Sequence, residues 1–255
     1  MGAHGVETRV GRAGLRPKKT AMLVAQRIVQ DINRRGNKIG DRLPPERIML
    51  DEYDVGRGTL RESLRFLELQ GVIALKPGPG GGPIVQQPDS EGLATAITLL
   101  LQFENAPFRT VVEARTALEP MMARLAAERI SEEQLATLKY SVDHMRENLH
   151  DEEIFVEMSR VFHDTVAQGS GNALFGYLIH ALLDMLDGSA MGMEYPEKHR
   201  RATADIHEKI YLAVAERDPE AALVAMEEHI AGIWRYEQKH YPEVLETPIA
   251  WGNRA

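Results

Sequence analysis

The 255-residue chain contains no cysteine, which excludes disulfides, thiolate metal sites and a cysteine nucleophile. The absence also suits a reducing cytoplasm. Nowhere do about 18 apolar residues follow one another, and the opening stretch MGAHGVETRVGRAGLRPKK carries basic residues with no hydrophobic segment behind them. Neither a membrane span nor an export signal is expected, so the chain is read as cytoplasmic with no membrane partner. No segment repeats at a fixed period.

What is present is an ordinary core-forming composition, 44% apolar, with its charge unevenly spread. The net charge is −8, yet residues 1 to 85 hold 15 Lys+Arg against 9 Asp+Glu, and the remaining 170 hold 15 against 29. A basic front on an acidic chain points to a polyanion as the partner of the front third.

Residues 1–19 are rich in Gly and Arg without apolar periodicity and read as a disordered basic tail. Thr20 can cap a helix with apolar positions Met22, Leu23, Ile28, Val29 and Ile32, closed by Gly36. Pro45 suits the first turn of a second helix, PERIMLDEYD, and Val55-Gly56 turns into a third, RGTLRESLRFLELQ. In that third helix Arg57, Arg61 and Arg65 sit four apart, while Leu60, Leu64 and Leu67 form a second stripe for burial. Two short apolar runs, VIAL and IVQQ, flank KPGPGGGP and predict a β-ribbon.

From Ser90 onward helical periodicity dominates: 90–103, 108–129, 132–149, 152–168, 172–187, 197–216 and 219–240. Ser131 and Gln134 fit a capping box, Asp151 a cap, and Asp218-Pro219 a cap with first-turn proline. The expected fold is mostly α: a winged helix-turn-helix over 20–88, an all-helical domain of about seven helices over 89–241, and an irregular tail over 242–255. Three helices and a ribbon are the element order of a module whose third helix enters the major groove of DNA. The competing reading of the arginine stripe is a merely solvated helix face.

GDRLPPER, then DVGRGTLRESLRFLELQGVI, then a glycine-rich wing ending in IV, resembles the DNA-binding domain of the GntR family of bacterial transcription regulators. The resemblance covers about residues 20 to 86. It implies that Arg47 contacts backbone or base edges, that Arg57 and Arg61 read bases or phosphates with Thr59 assisting, and that wing glycines Gly80, Gly81 and Gly82 allow close approach to a groove. The family more often carries Ser at the position of Gly56 and a hydroxyl residue at that of Gly58, and its wing is usually shorter.

Behind this front, VVEARTALEPMMARLAAERI, VFHDTVAQGSGNALF and ADIHEKIYLAVAERDPEAALVAMEEHI resemble the FadR-like branch, whose C-terminal helical domain is the FCD ligand-binding domain. His207 and His229 stand 11 residues either side of Asp218, so they can face each other across an antiparallel helix pair. The resemblance adds His163 and makes the three imidazoles ligands of one divalent metal ion such as Zn, Ni or Mn. Its fourth ligand is an Asp one turn before the first His, where this chain has Ser159, a poor ligand. Glu157 or Asp205 could substitute, or the histidines could line a metal-free pocket.

Arg115 matches an arginine that this branch directs into the pocket, beside His163, His207 and His229. It implies a small anionic effector such as a carboxylate; the alternative is a surface pair with Glu119, four residues on. The expected function is a ligand-responsive, DNA-binding transcription regulator, a repressor, acting on double-stranded operator DNA as a homodimer and not an enzyme. The alternative is a metal-dependent enzyme using a three-histidine site in a helical bundle.

Overall fold

The structure, a computed structural model, describes residues 17–78, 81–185 and 192–252. Its chain divides between Asp89 and Ser90 into two compact units. The front unit runs α1 (Pro17–Arg35), α2 (Glu46–Tyr53), α3 (Arg57–Leu69), β1 (Ile73–Lys76) and β2 (Gly82–Val85). The rear unit runs α4 (Glu91–Phe103), α5 (Arg109–Arg129), α6 (Glu132–Glu147), α7 (Glu152–Gly169), α8 (Ala173–Met185), α9 (Glu197–Ala215), α10 (Pro219–His240) and α11 (Pro242–Leu245).

In the front unit α3 buries Leu60, Ser63, Leu64 and Leu67, the spacing of one helical stripe, against α1. Each buried leucine contributes about 2 kcal/mol of transfer free energy. These leucines share a core with Val24, Ala25, Ile28 and Ile32 of α1, Met49 and Tyr53 of α2, and Ile73 and Val85 of the ribbon. Ser63 satisfies its hydroxyl inside that core by donating to the Ala21 carbonyl at 2.8 Å. The ribbon is antiparallel, pairing Ile73 with Val85 and Lys76 with Gly82. Residues before α2 join it: Gly40 N–H donates to Val85 O and Leu43 N–H to Pro83 O, both at 2.9 Å.

Two expectations at the helix starts change. α1 begins at Pro17 rather than after Thr20, because proline supplies a pre-set φ and no N–H at a helix's first position. Residues 1–16 of the expected tail lie outside the described residues. Met22 and Leu23 are exposed, and the buried stripe is Ala21, Val24, Ala25, Ile28 and Ile32.

The rear unit is organised around α5, which packs against α7, α8, α9 and α10. Ala123, Ala126 and Ala127 are fully buried there, and their small side chains let several helices approach one another. Caps act where the spacing predicted them: Ser131 and Gln134 form a reciprocal box, and Asp151 and Asp218 accept from the N–H groups of Ile154 and Ala221. The segment after 241 is not irregular throughout. It forms α11, buries Leu245 and Ile249, and runs back along the α4–α5 connection, where Phe108 N–H donates to Thr247 O and Ile249 N–H to Ala106 O, each at 3.0 Å. Burying those two apolar side chains offsets part of the cost of ordering the segment.

Candidate functional site

On the front unit, Arg57, Arg61 and Arg65 are all exposed on α3, opposite its buried leucines, with Thr59 half-buried between them. Gly56 is the extended N-cap, and Arg57 opens the first turn, where free N–H groups favour an anion. Arg47 is exposed in the first turn of α2. Its neighbour Glu46 lies 3.4 Å from Arg61 Nε, so the starts of α2 and α3 present their charges together. That pair is solvent-exposed, and screening leaves Arg61 available to a phosphate or base. In the wing, Gly82 adopts φ 124°, which favours glycine. A Cβ at Gly81 would stand 2.2 Å from the Lys76 carbonyl oxygen, so the turn tolerates no side chain there. Gly80 lies outside the described residues.

In the rear unit α7, α9 and α10 carry His163, His207 and His229 to one point, all buried. Nε2 of His207 lies 3.1 Å from Nε2 of His229, which lies 3.2 Å from Nε2 of His163. Phe162 stacks on the His207 ring at 3.8 Å between centroids and meets His163 edge-on, fixing both ring planes. Burial first, then the neighbouring imidazoles (His163 for His207, His207 and His163 for His229) and Arg115, hold His207 and His229 well below the usual histidine range, so both imidazoles are neutral.

Arg115 and Glu119 are both buried and paired with each other. The pair foreseen as a surface alternative therefore exists, but inside the protein and against the histidines. An Arg115 terminal nitrogen lies 3.3 Å from His163 Nε2. A guanidinium only donates, so that nitrogen is the acceptor and the His163 proton sits on Nδ1. Nδ1 faces Glu119 Oε2 at 2.5 Å, a close contact outside ideal hydrogen-bond geometry. Burial alone would push the Glu119 carboxyl up; the Arg115 guanidinium and His163 outweigh it and hold it well below the carboxylate range.

These residues fit a divalent ion. Nitrogens about 3 Å apart match the spacing set by one ion at about 2.0–2.1 Å from each imidazole. Glu119 occupies the place of the outer carboxylate that fixes a ligating histidine's tautomer. His207 Nδ1 is buried without a hydrogen-bond partner among the described residues. The expected substitutes for the missing aspartate do not serve. Glu157 is exposed, and Asp205 is exposed and bound to Arg146 at 2.6 Å. Both point outward because Glu157 stands six residues before His163 and Asp205 two before His207, and it is residues three or four apart that share a helix face. Ser159, one turn before His163, is half-buried.

Sequence reasoning missed two acidic groups. Glu119 was read only as a surface partner, although its four-residue spacing from Arg115 was visible. Glu237, in the polar run YEQKH, is 3% exposed, and its Oε2 has no hydrogen-bond partner among the described residues. No local signal marks it.

The arginine-faced helix with its wing, joined to a helical unit enclosing histidines and arginine, defines a DNA-binding regulator with a sensing domain. The chain matches "Bacterial regulatory proteins, gntR family" over residues 20–81 and "FCD domain" over residues 110–232. It is 33% identical to the uncharacterized HTH-type transcriptional regulator YcbG of Bacillus subtilis, over 84% of this chain and 88% of that protein. It is 28% identical to the HTH-type transcriptional repressor NanR of Cronobacter sakazakii, over 88% of each. The solved Streptococcus agalactiae GntR aligns with a TM-score of 0.67 at 26% identity, covering 85% of this chain and 99% of that one. The chain belongs to the GntR family of bacterial transcription regulators, in the branch with a C-terminal FCD domain. It is a ligand-responsive DNA-binding regulator, and the metal-dependent enzyme reading is set aside.

Proposed function

We propose that the protein is a cytoplasmic repressor that binds two-fold operator DNA as a homodimer and changes its grip when an anionic metabolite enters the helical domain. Residues 20–88 read the operator through Arg47, Arg57, Thr59, Arg61 and the wing glycines Gly80, Gly81 and Gly82. Residues 89–241 sense and dimerise. One reading head offers too few contacts to find a site alone, which is why two-fold proteins read two-fold operators. Exposed Leu100 and Phe103 on α4 and Leu174 and Tyr177 on α8, helices that pack on each other, supply an apolar face for a second copy.

The observation that carries the sensing role is the buried convergence of three Nε2 atoms beside Arg115. His163, His207 and His229 would hold a divalent zinc, nickel or manganese ion, which supplies Lewis-acid attraction for a carboxylate. Arg115 orients that carboxylate, and Glu119 keeps His163 in the right tautomer. Ser159 in place of the aspartate leaves a coordination position for water or the effector. By linkage, whatever factor the effector takes from operator affinity, the operator takes from effector affinity.

The test starts from genomic fragments selected by the full chain, whose affinity is then measured with and without zinc, a chelator and a panel of carboxylates. The reading holds if a carboxylate changes operator affinity and chelation abolishes the response. It falls if no ion and no acid alters operator affinity or the melting temperature. A Ser159→Asp variant sharpens the metal assignment: a real three-histidine site gains about tenfold or more in metal affinity, whereas a metal-free cluster only acquires a buried charge and melts earlier.

A further inference from the structure

Glu237 is a carboxyl in the interior whose Oε2 has no hydrogen-bond partner among the described residues. It lies on α10 two turns beyond His229. The half-buried Tyr195 packs on the same small core as Trp234, one turn before Glu237 on α10, and Tyr241, one turn after it at the helix's C-cap, and its ring stacks with that of His199 at 5.4 Å between centroids. The Tyr195 ring sits 6.3 Å from the Tyr236 ring and 6.0 Å from that of Phe155. Tyr195 itself is held in place: Arg200 donates to its carbonyl at 2.7 Å, and its N–H donates to Glu152 at 3.0 Å. Glu237 also lies beyond the 110–232 span that matches the FCD domain.

A buried carboxyl oxygen without a partner is a standing cost, and an apolar residue of similar size would remove it. Such a group is kept where a ligand completes it. An aromatic ring beside a carboxylate is the chemistry that recognises an ammonium group, through charge pairing and ring-face attraction together. A hydroxyl would satisfy one lone pair and leave the charge unbalanced.

We propose that Glu237 and Tyr195 form the far end of the effector site and bind an ammonium group, so that the effector is an amino acid in the broad sense, a carboxylate at the Arg115–histidine end and an amine at the other. This rests on the effector reading above. Two helical turns separate the ends by about 12 Å along α10. After contact distances are taken off at both ends, an acid of about six carbons spans the gap.

The probes are hexanoate, 6-hydroxyhexanoate and 6-aminohexanoate, titrated into the zinc-loaded full chain by calorimetry and thermal melts. The expected result is binding of 6-aminohexanoate at least tenfold tighter than hexanoate. Glu237→Gln should remove most of that preference while leaving the zinc-induced melt shift intact. Glu237→Leu, which fills the same space, is the second variant and should behave alike. The assignment is overturned if hexanoate or 6-hydroxyhexanoate binds as well as the amino acid, or if both variants keep the preference. If none of the three acids binds the wild-type protein, this assignment falls and the effector reading beneath it stands or falls by the operator-affinity test above; if the acids bind without discrimination, only the ammonium site falls.

Discussion

Replacing Glu237 by glutamine is expected to stabilise the effector-free protein at neutral pH and to change little in acid. Burial pushes the Glu237 carboxyl from its ordinary 4.5 up to about 7, against the pull of Arg115. Between those two values the folded state keeps a proton that the unfolded chain has released, so stability from this group falls as pH rises from 4.5 and the full cost is reached above 7. That difference is worth about 3 kcal/mol. Glutamine keeps the shape and cannot ionise. The variant should therefore match the wild type near its ordinary carboxyl range and exceed it by about 3 kcal/mol at about pH 8. Urea unfolding followed by tryptophan fluorescence suits the measurement, because Trp234 lies one turn from Glu237 on the same helix. The other titrating groups are common to both proteins and cancel in the difference. A constant offset across the whole range, or a wild type that stays the more stable above neutrality, would refute the reasoning.

On the front unit, Arg57→Ala or Arg61→Ala should cost about 1–3 kcal/mol at the operator if the guanidinium pairs with a base. A phosphate contact would instead weaken all sequences alike and lower the salt slope by about 1, as salt-dependent gel shifts would reveal. Gly81→Ala should deform the wing, because its Cβ would sit 2.2 Å from the Lys76 carbonyl; operator affinity should drop while a melt of the rear unit stays unchanged. A fragment beginning at Ser90 should sediment as a dimer at concentrations where the full chain does, and a clean monomer would move the interface elsewhere. Glu119→Gln should weaken zinc binding about 10–100-fold through His163 without removing a ligand, read as a smaller zinc-dependent melt shift.

Much of this was legible because it rests on local rules. The leucine stripe of α3, the capping box at Ser131 and the cap at Asp218 follow from spacing and residue type alone, and all occur. The meeting of His207 and His229 followed from their equal distance to the α9–α10 turn, and their Nε2 atoms are 3.1 Å apart. What failed depended on neighbours distant in sequence. Met22 and Leu23 look like core, yet the side of α1 that meets α3 is one step round the helix. Glu119 reads as the surface end of a four-residue ion pair, and only the packing of α5 against four other helices takes it inside. Glu237 sits among Arg235, Gln238 and Lys239, and nothing along the chain distinguishes the acid that is buried.

The return of the chain after α10 bears on how this protein comes apart. Two backbone hydrogen bonds and the buried Leu245 and Ile249 fasten its last described stretch to the connection between α4 and α5, the opposite end of the same unit in sequence. The helical unit is thus closed by a non-covalent clasp joining its beginning to its end. Such a closure forms late in folding, because the whole loop must be ordered before the clasp gains anything. It also has little to lose by opening first, since few bonds hold it. The rate of irreversible loss in the cell would then be set by the clasp rather than by the Ala-rich centre of α5, and a protease that trims the last dozen residues would shorten the protein's lifetime without touching anything it binds.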